Sequence, residues 1–200
     1  MSAIRLKDLD YIEKVLSEIQ PVTASQDEEY KEAAVALILK ERDGDISIIF
    51  IKRSEDERDP WSGHMAFPGG RKDEEDESII DTVMRETFEE TGIDLREGKI
   101  IGRLDDVVPL FRTPGRNLII TPFVAFAPSE FDICTCDEVD EVLEIPVSML
   151  KKRAMKVQFE GSDRKMSTYH YKKYTIWGIT AWILSQFFQI ATDDESSSES

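Results

Sequence analysis

The chain has 200 residues, enough for one domain with its own core and a short appendage. Apolar residues make up 40% and charged residues 33%, which excludes a wholly disordered chain. A formal charge of −16 argues against general nucleic-acid binding, because that rests on Lys and Arg neutralising phosphates.

In chain order, Ile4, Leu9, Ile12, Leu16 and Ile19 fall at helical spacings and predict an amphipathic N-terminal helix over 4–19. Residues 21–29 read as a linker, so 1–29 are expected to precede a main domain over 30–191. Aliphatic runs at 33–39 and 46–51, separated by Glu41-Arg42-Asp43-Gly44-Asp45, predict a hairpin turning near Asp43-Gly44. The stretch 55–68 is polar, with Pro60 and Gly63, and is expected to be a loop. Residues 77–91 read as a helix stopped by Gly92.

Strands are expected at 99–108 and 117–126, a short helix at 148–153, two short strands near 155–160 and 167–174, and a final helix over 176–190. That last stretch is interrupted by Thr180, Ser185, Gln186 and Gln189 and is too short and polar to cross a bilayer. The first residues lack the apolar core of a secretory signal, so a cytoplasmic location is the expectation. The acidic, serine-rich stretch 192–200 is expected to be disordered. Strands interleaved with helices predict an α/β fold with a mixed sheet.

Charge is uneven. Residues 151–173 carry a net +6, leaving −22 elsewhere, and this segment reads either as a local anion site or as a solvated basic face. Cys134 and Cys136, one residue apart, make a strained disulfide and an incomplete zinc set, so reduced thiols are expected. His64 lies near the glycine pair that follows; a surface or hydrogen-bonding role is expected over a substrate contact.

The informative stretch is Gly69-Gly70, then Glu77, then Arg85-Glu86-Thr87-Phe88-Glu89-Glu90-Thr91-Gly92-Ile93. At about 100° per residue, Glu89 and Glu90 lie roughly 60° and 40° to either side of Glu86, so the three carboxylates share a face. Ile80, Met84 and Phe88 form an apolar stripe expected to pack on the sheet. Three clustered carboxylates with only Arg85 as local counter-charge have no stability rationale, since such exposed pairs contribute a few tenths of a kcal/mol. They suit Mg²⁺ or Mn²⁺, which prefer oxygen ligands, and two glycines let backbone approach an ion or phosphate.

This segment resembles the Nudix box, G-x5-E-x7-R-E-U-x-E-E-x-G-U with U a bulky aliphatic residue. Positions 77–93 match in register, with Thr87 at the first U position and Ile93 at the last, while six residues instead of five separate Gly70 from Glu77. The resemblance implies a mixed sheet sandwiched between helices. It also implies an Mg²⁺- or Mn²⁺-dependent hydrolase of phosphoanhydride bonds in nucleoside-diphosphate derivatives. Carried over by position, Glu86, Glu89 and Glu90 would be metal ligands, Gly69 would offer a carbonyl, Glu77 would be an outer ligand and Arg85 would orient the glutamates. The general base would be a box glutamate or one from a later loop, where Glu138 and Glu141 are the candidates.

Arg53-Ser54, Arg58, Gly63 and Phe67-Pro68-Gly69-Gly70 are similar to the signature of the coenzyme A pyrophosphatase branch, with one extra residue between Arg58 and Gly63. Residues 138–146 and 176–184 also look like that branch. Membership would imply cleavage of coenzyme A or acyl-CoA into 4′-phosphopantetheine and adenosine 3′,5′-bisphosphate. Arg53, Arg58, Gly70, Arg112 and Arg116, with part of the basic segment, are then candidate substrate contacts. ADP-ribose, NADH and nucleoside triphosphates are the alternative substrates. A silent ligand-binding Nudix module is the alternative class, although such modules usually show eroded glutamates and these are whole. A homodimer through the N-terminal helix or the acidic tail is left open.

Overall fold

A computed structural model describes residues 4–24, 30–42, 44–55, 63–109, 118–159 and 162–192, the side chains of 157–159 and 162–164 excepted. The expected hairpin forms from β1 (Lys31–Arg42) and β2 (Asp45–Arg53), which pair antiparallel from Ile38↔Ile49 to Arg42↔Asp45. Toward the other end the two strands separate, and the chain segment after residue 63 fills the gap. Its β3 (Met65–Ala66) pairs with β2, and its β4 (Gly69–Arg71) pairs with β1. The expected loop over 55–68 is therefore partly strand among its described residues. This splay delivers Gly69-Gly70 to the middle of a sheet rather than to its rim.

On its other edge β1 runs parallel to β6 (Leu118–Phe126), and β6 pairs antiparallel with β5 (Lys99–Arg103). The other edge of β2 carries β7 (Val139–Pro146). The result is a mixed sheet of seven strands. Residues of β1 alternate between its faces. Leu37 and Leu39 pack with Ile12 and Leu16 of α1 (Leu9–Glu18) and with Leu184 and Phe187 of α3 (Gly178–Ala191). Ala34, Ala36 and Ile38 pack with Val83 of α2 (Ile79–Thr91) and with Ile93 and Leu95. A strand covered on both faces reads as a continuous apolar run, as 33–39 does. The N-terminal helix thus joins the main core. A separate antiparallel sheet, β8 (Lys151–Phe159), β9 (Ser162–Tyr171) and β10 (Tyr174–Ile176), carries the basic segment.

Several expected bounds are corrected. The first helix begins at Leu9, not residue 4, because the Asp8 side chain caps it by accepting from the Tyr11 amide at 2.8 Å, while Leu6 is bridged to Thr192. The strand expected over 99–108 stops at Arg103. Beyond it, the carboxylates of Asp105 and Asp106 accept from the Val22 and Ala24 amides and tie the N-terminal segment down. The helix expected over 148–153 is one 3-10 turn, Val147–Met149, since pairing of Lys151 with His170 draws the chain into β8. Among the described residues no helix is long and apolar enough to cross a membrane.

The apolar stripe of α2 is corrected in part. Met84 packs against the core, but Ile80 is 40% and Phe88 51% exposed, whereas Thr82, Val83, Thr87, Glu90 and Thr91 are buried. Polar contacts set this rotation: the Thr82 hydroxyl donates to Asp76 at 2.9 Å, and Glu90 accepts from the Gly69 amide at 2.8 Å. Small Val83 lets the helix settle onto Ala34 and Ala36.

Candidate active site

Helix α2 is fixed at both ends by its sequence. Ser78 and Asp81 form a reciprocal capping box, and Gly92 closes the last turn with φ 77°, its amide donating to the Phe88 carbonyl at 2.8 Å. Between these stops, Glu86 and Glu90 face the Gly69-Gly70 strand. A Cβ at Gly70 would fall on the Glu86 carboxylate, and one at Gly69, where φ is 144°, would strike the Ala34 carbonyl. Glycine at 69 is therefore a requirement of close backbone approach, and a side chain at 70 would displace the Glu86 carboxylate.

Glu90 is buried, with Arg53 Nη1 3.8 Å from its Oε1. Desolvation pushes its pKa up to about 7, against the opposing pull of the Gly69 amide and Arg53, and the charges of Glu86 and Glu138 push the same way. Glu86 is likewise raised, first by burial, then by Glu89 and Glu138, while Arg85 opposes the shift. Four acidic groups, Glu86, Glu89 and Glu90 of α2 and Glu138 just before β7, therefore share one field. Glu89 is more exposed and bonds Arg85 Nη1 at 3.1 Å.

Arg85 is the hub. Its Nη1 also donates to Glu86 at 2.9 Å and its Nη2 to the Arg71 carbonyl at 3.2 Å. Its Nε and Nη2 grip the two oxygens of Asp76, each at 2.9 Å. Asp76 also accepts from the Asp73 amide and from Thr82, and the Arg85 bond, foremost, holds it well below the usual carboxylate range.

Glu77, expected as an outer ligand, is exposed, and its neighbour Asp76 occupies the buried position against Arg85. The spacing carried the signal: five residues, 71–75, separate Gly70 from Asp76, so the extra residue lies after Asp76 and not in the glycine loop. Glu138 and Glu141 do not lie on one loop. Glu138 precedes β7, its carbonyl accepting from the Ser54 amide at 2.9 Å. Glu141 lies within the strand and is engaged elsewhere, by the Tyr174 hydroxyl at 2.6 Å and Lys173 at 3.6 Å, which also lower its pKa. Arg58, Arg112 and Arg116 fall outside the described residues.

The donor set fits a hard divalent cation: oxygen donors only, two of them desolvated and mutually repelling. Among the described residues no three acidic, His or Cys side chains converge on one point. Arg85 Nη1 holds one oxygen of each of Glu86 and Glu89, Oε1 and Oε2 respectively. The sequence reading also did not place Trp177 beside His64, where the ring centroids are 4.6 Å apart.

Comparison with known proteins agrees with this frame. The chain is 32% identical over 133 residues to the uncharacterized Nudix hydrolase NudL of Photorhabdus laumondii, covering 64% of this chain and 68% of that protein. Identity to the protein of the same name from Yersinia pestis is 30% over 146 residues, covering 70% and 71%. The crystal structure of a MutT/nudix family protein from Enterococcus faecalis shares the fold, with a TM-score of 0.59 at 19% identity over 92% of this chain and 69% of that one. The family model described as the NUDIX domain matches residues 30–166, which contain the splayed hairpin, both glycines, Asp76 and every acidic group of the site, and the chain belongs to the Nudix hydrolases.

Proposed function

We propose that this hydrolase cleaves the phosphoanhydride of coenzyme A or an acyl-CoA into a 4′-phosphopantetheine product and adenosine 3′,5′-bisphosphate, with Mg²⁺ or Mn²⁺. The observation that carries the hydrolytic reading is the pair Glu86 and Glu90, both desolvated against the Gly69-Gly70 backbone. Two carboxylates in such a place destabilise the fold unless a cation joins them. Glu86, Glu89 and Glu90 would hold the ion, with the Gly69 carbonyl as a further donor. When bound, the ion supplies Lewis-acid polarisation of the phosphoryl oxygens and a lower pKa for the attacking water.

The remaining roles belong to the chain. Arg85, anchored on Asp76, orients Glu86 and Glu89. Glu138, whose charge is felt by Glu86 and Glu90, accepts a proton from the attacking water. Glu141 is assigned no step, because Tyr174 and Lys173 occupy it. Arg53, 3.8 Å from Glu90, contacts substrate phosphate. The preference for coenzyme A is supported by the likeness of Arg53-Ser54 and Phe67-Pro68-Gly69-Gly70 to that branch's signature.

The test is a turnover panel with Mg²⁺ or Mn²⁺: coenzyme A, acetyl-CoA, ADP-ribose, NADH, diadenosine polyphosphates and nucleoside triphosphates. Coenzyme A species should give the highest kcat/KM. Brisk turnover of another substrate with none of coenzyme A overturns the assignment, and no turnover of any diphosphate overturns the hydrolytic reading itself.

A further inference from the structure

Trp177 is an aromatic surface that the mechanism above does not use. It is 43% exposed, although its neighbour Ile176 is fully buried at the end of β10, where it pairs with Tyr169. The indole is therefore presented from a fixed backbone rather than from a slack loop. Its ring meets His64 edge-on, at 4.6 Å between centroids and 63° between planes. Gly178, the next residue, has open space where a Cβ would point.

His64 links this ring to the site. The register of β2 with β3, Ile51↔Ala66 and Lys52↔Met65, continues to Arg53 and His64, where the Arg53 amide donates to the His64 carbonyl at 3.0 Å. Residues directly opposite in an antiparallel pair project on the same face. Arg53 on that face reaches Glu90 at 3.8 Å. Trp177, His64, Arg53 and Glu90 thus form one row, from an exposed aromatic to a buried carboxylate.

We propose that Trp177, braced by His64, is the platform on which the nucleobase of the substrate stacks while the diphosphate lies at the Arg53–Glu90 end. This rests on the reading of the site as a nucleoside-diphosphate hydrolase and adds the residue that recognises the base. The carboxylates and Arg53 read charge alone and treat any diphosphate alike. A planar, uncharged base needs a planar apolar partner, and Trp177 supplies one on the same face. Stacking of one base on one aromatic ring is worth about tenfold in affinity. Trp177 is a binding residue, and its loss should appear in KM and leave kcat in place.

Two probes that differ only in the base separate this from a plain surface tryptophan. Binding of AMP and of ribose 5-phosphate is measured by calorimetry on the full chain, without turnover. Wild type should bind AMP about tenfold more tightly. Trp177→Ala should lose that preference with ribose 5-phosphate unchanged, and Trp177→Phe should recover most of it. AMP should quench tryptophan emission in wild type but not in Trp177→Phe, which keeps Trp61 and Trp182. Thermal midpoints of both variants within a few degrees of wild type confirm folding. Equal AMP binding by wild type and Trp177→Ala, or no preference for AMP over ribose 5-phosphate in wild type, overturns the proposal. Because binding is read without chemistry, an absent hydrolytic activity with an intact AMP preference sinks the reaction and spares the platform.

Discussion

Replacing Asp76 with Ala tests which acidic residue anchors the Nudix helix. The Asp76 side chain is 5% exposed and accepts four hydrogen bonds: two from Arg85, one from the buried Thr82 hydroxyl and one from the Asp73 amide. Removing one partner of a fully buried ion pair costs about 3–5 kcal/mol, because the other charge is left uncompensated. Arg85 is 30% exposed and keeps Glu86 and Glu89, so water and those carboxylates recover part of the loss, leaving about 2–4 kcal/mol. For a chain of this size that lowers Tm by roughly 5–15 °C. Glu77→Ala, one residue along and exposed, should change stability by no more than about 0.5 kcal/mol. Differential scanning calorimetry and guanidinium titration of the two variants give the comparison. Equal losses, or a larger loss for Glu77→Ala, would refute the assignment of Asp76 to the buried position.

The same pair predicts acid sensitivity. Arg85 depresses the folded-state pKa of Asp76, so its contribution is complete above the unfolded carboxylate value of about 4 and is lost as pH falls through the lower folded value. Wild-type denaturation midpoints should drop below about pH 4 more steeply than those of Asp76→Asn; parallel slopes would contradict this. Glu90 has the opposite sign: its raised folded pKa makes it a cost that grows from about pH 4.5 and is complete above about pH 7. Metal-free Glu90→Gln should therefore be more stable than wild type at pH 8 by about 1–3 kcal/mol, with little gain at pH 4.5, while losing hydrolytic activity; a loss of stability at pH 8 argues against a desolvated carboxylate. Glu138→Gln should lower kcat by about 10²–10⁴-fold, and Glu141→Gln by no more than about threefold, in steady-state assays; the reverse order would return the base to Glu141.

Much of the fold was legible because local signals and tertiary demands agreed. The runs at 33–39 and 46–51 are strands buried on both faces, and Gly92 ends α2 with a left-handed turn that a glycine adopts at no steric cost. Where they disagreed, sequence periodicity misled. Ile80, Met84 and Phe88 have helical spacing, but only Met84 packs on the core, because the rotation of α2 is set by Thr82 and Glu90 bonding Asp76 and Gly69, contacts that helical periodicity does not encode. Residues 139–146 hide a strand behind alternating acids, because its pairing with β2 supplies the order that its composition does not. The separation of Glu138 from Glu141 follows from β7: only a strand places the latter beside Tyr174 while the former stays at the box.

The rotation of α2 inverts the usual rule of apolar in and charged out, and the inversion explains why the helix is so firmly held elsewhere. Exposing half of Phe88 while burying Glu90 raises the free energy of the folded chain on both counts. The capping box at Ser78, the Gly92 closure, the Val83 contact with Ala34 and Ala36 and the Asp76–Arg85 clasp all act on the same helix and offset that cost. A helix stabilised by its apolar stripe alone would turn Phe88 inward and carry Glu90 away from Gly69. The clasp therefore fixes rotation as well as stability, and the arrangement of Glu86 and Glu90 against the glycines depends on Asp76 even though Asp76 reaches neither of them.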